Sequence, residues 1–346
     1  MRKSRVIIYT SAYNAEKTLC RAVESMITQS YEDWTYYILD NGSADKTGEI
    51  IKEYAASDRR VIPLKNYENK KLHLLNYLPM MLSGHGGDDL FCSIDADDEY
   101  VSHGWANQEK IVIENNLDAA TCGTDWIDEI TGEIVKHKVI DKNIILEGRD
   151  FAELFPAYRN FTVTVWGGVY KLDLLRKCNF EWTKNAMNFG DTAFCMELFR
   201  RTKRAGVLAE SLHKYYISAK TDSYRYNPKW FLACKNLIEI TREYLLDYGK
   251  LSRENEDYLC VLFLILIKYI MPRIEKADVD LPEKLNSLHE IFKDEMTQYM
   301  LEHWSEVGIY SDKGEFLREI KDWIIAQDGW EKDRPTVEKI ILSMNI

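Results

Sequence analysis

The chemistry in this sequence is concentrated in carboxylates. Asp95-Ala96-Asp97-Asp98-Glu99 follows the apolar run Phe91-Cys92-Ser93-Ile94. Carboxylates two positions apart at the end of a strand can approach one hard cation, or divide between a cation and a ribose. Mg2+ and Mn2+ favour oxygen ligands and complete their shells with diphosphate oxygens. A cation held by such a pair would neutralise charge developing on a departing diphosphate. The competing role is structural, with Asp97 or Asp98 capping a helix that begins near Glu99.

Two more polar clusters, Ser11 to Asn14 and Asp40 to Asp45, also follow strand-like runs. The pattern predicts strands at Arg5 to Tyr9, Trp34 to Leu39, Arg60 to Leu64 and Leu90 to Ile94. Helices are predicted between them at Ala15 to Gln29, Lys46 to Ala56 and Leu72 to Leu82. Strands alternating with helices of this length argue an α/β fold with a mainly parallel, Rossmann-like sheet. Ligands of such sheets bind beyond the C-terminal strand ends, where all three clusters fall. No G-x-G-x-x-G follows the first strand and no G-x-x-x-x-G-K-[ST] occurs, so dinucleotide and P-loop chemistry lack their usual support.

Farther along, strands are predicted at Ala119 to Cys122, Ile134 to Ile140 and Val163 to Tyr170, and a helix at Thr192 to Arg200. After Asn227-Pro228 the pattern becomes helical, at Trp230 to Tyr248, Asn255 to Tyr269, Leu281 to Tyr299 and Lys313 to Ile325. Two domains are expected, 1–227 and a helical region, 228–346. The run Leu259 to Ile267 spans only ~14 Å as a helix, half a bilayer core, and reads as a buried helix or a subunit contact. A net charge of −11 over 346 residues argues against general nucleic-acid binding. The seven cysteines form no C-x-x-C and read as reduced thiols, and the short apolar run near the N-terminus reads as a strand rather than a signal peptide. A cytoplasmic protein is expected, with peripheral association at the inner face of a membrane and homo-oligomerisation through the C-terminal helices compatible with the sequence.

The order and spacing of these motifs resemble the inverting nucleotide-sugar glycosyltransferases of family two, with the GT-A fold. Tyr13-Asn14 resembles the end of P-x-Y-N, and Gln29-Ser30-Tyr31 resembles Q-[ST]-[YF]. Asp40 to Thr47 resembles D-D-G-S-x-D-x-T, and Asn69 and Asn76 frame a N-x-G-x-x-x-x-N element. Ile94 to Asp98 resembles L-D-x-D-D, and Gly190-Asp191 stands where the family has G-E-D. The resemblance covers about residues 4 to 226. It implies that Ser11, Tyr13 and Asp40 line a nucleobase pocket, that Asp95 approaches ribose or diphosphate, and that Asp97 is the principal ligand of Mn2+ or Mg2+. It implies Asp191 as catalytic base and Trp166 as a wall for the acceptor sugar. His213, a third ligand in some related folds, reads more simply as structural. Tyr216, Ser223 and Arg225 fall where relatives carry a mobile loop. The implied activity is metal-dependent inverting transfer from a nucleoside diphosphate sugar, with a UDP-sugar favoured. The acceptor is a hydroxyl of a glycan or glycolipid in surface polysaccharide synthesis.

The sequence departs from the family at several positions. Ser11 replaces a proline, Asn41 an Asp, Lys71 a Gly, Leu75 an Arg and Gly190 a Glu. Loss of the Arg removes a phosphate donor, for which Lys70, Lys71 or His73 are the replacements at hand. Two alternatives stay open on the sequence: a catalytically degenerate sugar-binding assembly subunit, and a nucleotidyltransferase.

Overall fold

The computed structural model describes residues 4–71, 73–185, 189–217, 227–302, 313–326, 331 and 334–343. The chain divides into two compact units, Met1–Asn185 with Gly190–Ala219, and Ala186–Phe189 with Lys220–Ile346.

The first unit is built on one mixed sheet. Its strands are β1 Val6–Ala12, β2 Trp34–Asn41, β3 Val61–Asn66, β4 Leu90–Ser93, β5 Glu99–Tyr100, β6 Ala119–Asp128, β7 Ile134–Lys138, β8 Ile144–Glu147, β9 Gly168–Lys171 and β10 Arg204–Ile217. Its helices are α1 Leu19–Ile27, α2 Thr47–Ser57, α3 His73–Leu82, α4 Gly104–Glu114, α5 Asp150–Glu153, α6 Phe155–Tyr158, α7 Leu172–Arg176, α8 Glu181–Asn185 and α9 Gly190–Arg201. The strand order is β3-β2-β1-β4-β9-β6-β10-β5, with β7 beside β6 and β8 beside β10. The β3-β2-β1-β4 half is parallel, as the alternating pattern predicts. Beyond it, β9 runs antiparallel to both β4 and β6.

The reason β1 is central is legible in its composition. Val6, Ile7, Ile8 and Tyr9 are all buried, the run expected of a strand covered on both faces. Helix α1 lays Leu19, Ala22, Val23 and Met26, spaced 3, 1 and 3 apart, into the core that holds Val6, Ile8 and Ala12. Each large side chain so buried contributes about 1.5–3 kcal/mol.

Three local expectations differ. Glu99 opens no helix: Glu99 and Tyr100 pair with Lys214 and His213 of β10, and the next helix starts at Gly104. The acidic run is thus fixed by a strand rather than by capping. The strand expected from Val163 begins only at Gly168, after a turn at Gly167 with φ of 77°. In the second unit, the single helix expected over Leu281 to Tyr299 is two.

The helices of this second unit are α10 Trp230–Leu246, α11 Arg253–Glu275, α12 Leu281–Lys293, α13 Glu295–Glu302, α14 Lys313–Ile325 and α15 Arg334–Ser343. Asp294, extended at ψ of 137°, divides α12 from α13, and its Oδ1 accepts the Met296 N–H at 2.9 Å. A short polar residue that bonds local backbone competes with helix continuation in this way. In α11, Leu259, Cys260, Leu262, Phe263, Leu264, Leu266 and Ile267 are all buried, so the long apolar run is a core helix. Its start is capped by Ser252, which accepts the Asn255 N–H at 3.2 Å. Among the described residues no helix is long and apolar enough to cross a membrane.

Candidate active site

The site assembles where the parallel strands end. Ala12 at the end of β1 lies in register with Asp40 at the end of β2, and Tyr9 with Ser93 of β4, so the loops after all three strands are neighbours.

The first two loops are sewn to one another. Asn14, in the left-handed region at φ of 49°, donates its N–H to Ser43 Oγ at 3.0 Å. Its Oδ1 accepts the Ala44 N–H at 2.9 Å. The Ala15 N–H reaches Thr47 Oγ1 at 2.8 Å, and Asp45 accepts the Glu16 N–H at 3.1 Å and the Thr47 N–H at 3.0 Å. The short polar residues of the Asp40–Thr47 run therefore satisfy loop backbone that no strand or helix serves. Asp40 is only 6% exposed and accepts the Ser43 N–H at 2.9 Å. Ser11 is half-buried at the end of β1, and Tyr13 stands 49% exposed.

A third segment is locked on by Asn41. Its Nδ2 donates to Asn69 Oδ1 at 2.9 Å and the Lys70 carbonyl at 3.0 Å. Its Oδ1 accepts from Asn66 Nδ2 at 2.7 Å and the Lys70 N–H at 3.2 Å. An aspartate could not donate the first two bonds. Gly42 permits this approach, since a Cβ there would stand 2.5 Å from the Glu68 carbonyl carbon, and its φ of 83° is itself left-handed. Lys71 lies exposed on the same connection.

The acidic cluster follows β4. Asp95, Asp97 and Asp98 each offer a carboxylate oxygen, and the three lie within 4.8 Å of one another. Asp95, Asp97 and Asp191 present surface to solvent yet are desolvated by the protein around them, as groups in a concavity are. Burial foremost, then the carboxylates of Asp98, Asp191 and Asp97, holds the Asp95 carboxyl well above the usual range. Burial also raises Asp97 and Asp191. Asp191, from the first turn of α9, is thus brought into the field of Asp95, nearly a hundred residues earlier in the chain.

Asp98 is the inward member. It is fully buried, and its Oδ1 accepts the Tyr216 N–H at 3.1 Å. Its Oδ2 lies 3.3 Å from His213 Nε2 but without hydrogen-bond alignment, and has no hydrogen-bond partner among the described residues. Burial, then Lys138, pushes the His213 imidazole down to about 3, so it is neutral and the contact is no ion pair. His213 stacks on Trp166 with ring centroids 4.4 Å apart, and Trp166 is 8% exposed, covered by His213 and by Tyr215. Three close carboxylates with raised proton affinity and one buried oxygen lacking a partner are a donor set suited to a hard divalent cation.

Sequence reasoning missed Arg21. From α1 it donates to the Asp97 carbonyl, lies 3.6 Å from the Tyr216 ring centroid and pairs with Glu129 at 3.6 Å. Tyr216 in turn donates its hydroxyl to Glu99. Arg21 belongs to no motif and sits on an ordinary helix, so nothing in its neighbours marks it. Ser223 and Arg225 lie outside the described residues.

Residues 7–173 match glycosyl transferase family 2. Curated glycosyltransferases agree: an uncharacterised one from Escherichia coli, YibD, is 28% identical over 75% of this chain and 74% of its own. The chain is a glycosyltransferase of the GT-A fold. That class decides sugar transfer over nucleotidyl transfer. The fold is also that of Staphylococcus aureus TarS 1–349, with a TM-score of 0.64 at 13% identity, over 99% of this chain and 90% of that one. Other TarS structures hold UDP and UDP-GlcNAc. The mannosyltransferase PcManGT of Pyrobaculum calidifontis, in complex with GDP-Man and Mn2+, gives 0.52 at 13% identity over 99% of this chain and 86% of its own.

Proposed function

We propose that this transferase moves a sugar, with inversion, from a nucleoside diphosphate sugar to a hydroxyl of a glycan or glycolipid in polysaccharide synthesis. The observation that carries the reading is the convergence of Asp95, Asp97 and Asp98 with Asp191 in one field at the parallel strand ends. Inversion needs one direct displacement and no covalent enzyme intermediate. Asp191 accepts the proton of the attacking hydroxyl, and its raised proton affinity suits a base. Asp97, with Asp95, would hold Mn2+ or Mg2+, which when bound supplies positive charge beside the leaving diphosphate. Ser11, Tyr13 and Asp40 line the nucleobase pocket, Lys71 offers a cation near the phosphates, and Trp166 backs the acceptor side. UDP is the favoured nucleotide, in keeping with the TarS complexes.

In this reading residues 1–227 carry donor binding and chemistry, and the helices of 228–346 are an appendage. The test is calorimetry of UDP, GDP and dTDP with and without Mn2+, followed by product analysis with a panel of glycan acceptors. Metal-enhanced binding of one nucleotide and release of that nucleoside diphosphate on transfer are expected. Negligible binding of all three under both conditions refutes the reading. Binding without turnover across the panel favours the degenerate subunit instead.

A further inference from the structure

The cluster that would receive a diphosphate is itself acidic, with Asp40, Asp95, Asp97, Asp98 and Asp191 all converging on the strand ends. An anion entering there needs hydrogen-bond donors. Arg21 is committed to the Asp97 carbonyl and Glu129, Lys70 stands 3.6 Å from Glu68, and Lys71, the cation offered to the phosphates above, lies exposed with no side-chain contact among the described residues to set its direction.

His73 is different. It is the first residue of α3, half-buried, and its Nδ1 lies 2.9 Å from the Tyr9 hydroxyl. Tyr9 is 1% exposed, and burial pushes its phenol pKa far up, so it keeps its proton. A buried phenol that keeps its proton, and whose one side-chain hydrogen-bond partner among the described residues is His73, points its O–H at Nδ1, which is then the unprotonated nitrogen. The tautomer is fixed, and Nε2 carries the hydrogen. Burial lowers the His73 pKa, so the ring stays neutral. Nε2 bonds to no described residue. Tyr9 shares a strand face with Ser11 and is in register with Ser93, two residues before Asp95.

We propose that His73 donates its Nε2–H to a diphosphate oxygen of the sugar donor, and that Tyr9 is the positioning residue that fixes this tautomer. The inference rests on the nucleotide-sugar reading above. A neutral donor adds no competing cation beside the acidic cluster, and its direction is set before the ligand arrives.

Tyr9→Phe provides the clean test, because Tyr9 is too buried to meet the ligand itself. Calorimetry in Mn2+ would compare UDP, UMP and uridine, and likewise the guanosine and thymidine series, on the full chain. A hydrogen bond to a charged group corresponds to roughly 10- to 100-fold in affinity, so His73→Ala should weaken the diphosphate by about that factor. It should leave the nucleoside nearly unchanged. His73→Gln, whose amide reaches the Nε2 position, should retain most of the binding. Tyr9→Phe should weaken the diphosphate about 3- to 10-fold, and add little once His73 is alanine. Equal loss for nucleoside and diphosphate would show a merely structural role and overturn the proposal. So would unaltered diphosphate binding by both Tyr9→Phe and His73→Ala at unchanged thermal midpoints. If the unsubstituted protein binds no nucleoside diphosphate, the donor reading itself falls and takes this proposal with it.

Discussion

Asn41→Asp restores the aspartate of the D-D-G-S-x-D-x-T motif that Asp40 to Thr47 resembles, and the structure predicts that it harms this protein. Asn41 is 3% exposed and its amide is used on both sides. The orientation is unambiguous. The Lys70 N–H can only donate, and does so to Asn41 Oδ1 at 3.2 Å, while the Lys70 carbonyl can only accept, and does so from Asn41 Nδ2 at 3.0 Å. The substitution removes two donated bonds and sets a carboxylate oxygen against Asn69 Oδ1 and the Lys70 carbonyl. Each lost bond is worth about 1 kcal/mol, and the buried acceptors left facing one another add about 1 kcal/mol more. The sum, about 3 kcal/mol, corresponds to a fall of roughly 6–12 °C in the thermal midpoint of a unit of this size. Differential scanning calorimetry should show this in the transition of the sheet unit, with weaker nucleotide binding because the 66–71 segment is released. The introduced carboxyl regains a donor when protonated, so the deficit should shrink as pH falls toward about 4. A midpoint within about 2 °C of the unsubstituted protein, at neutral pH and with unaltered nucleotide titration, would refute the reasoning.

Other outcomes follow from the same geometry. Asp191→Asn should lower turnover by about 10²–10⁴-fold with little change in nucleotide affinity, while Asp97→Asn should damage metal-enhanced nucleotide binding as well, as steady-state kinetics and calorimetry would show. The acid limb of kcat/KM should lie above the ordinary carboxylate value of 3.8, because burial raises Asp191 and the base is lost as it protonates. Asp95, Asp97 and Asp98 bind protons more tightly folded than unfolded, so their stabilising contribution is full below the ordinary carboxylate pKa and lost as pH rises through their raised values. The thermal midpoint of the metal-free protein should gain from these groups on acidification from about pH 7 to 5, and Mn2+ should lessen that gain. A fragment ending at Asn227 should keep metal-dependent nucleotide binding, and its failure to bind while folded would reject the proposed division of labour.

The parallel half of the sheet was legible because its signals are local. Apolar runs of Val, Ile and Tyr, helical spacing in α1, and turn residues after each strand all point to the same pairing. The acidic cluster was legible as residues but not as an arrangement. Nothing near Asp98 in the sequence announces that it turns inward to Tyr216 and His213, because that choice is made by pairing between Glu99-Tyr100 and a strand more than a hundred residues later. The break at Asp294 was hidden for the opposite reason: its cause is a single side chain bonding its own local backbone, too small an event to disturb an apolar period. Asn41 read as a departure from a motif, while its four bonds come from residues 25 to 29 positions away.

These long-range contacts also explain why the cluster can hold its shape while carrying so much like charge. Asp95, Asp97 and Asp98 repel one another, and in an unsupported loop they would spread into solvent. Here Arg21 fixes the Asp97 carbonyl from α1, and Tyr216 fixes Asp98 through its N–H and Glu99 through its hydroxyl from β10. Arg21 lies over the Tyr216 ring, so the two supports brace one another. Burial first, and this repulsion after it, then appear as raised proton affinity at Asp95 and Asp98. A cation bound among these oxygens would displace protons that the fold has already arranged to be held, and its affinity should therefore weaken as pH falls. The same bracing ties the acidic turn to the end of β10, so displacement of Tyr216 would disturb Asp98 and Glu99 together. The geometry of the carboxylates and the end of that strand are one structural unit.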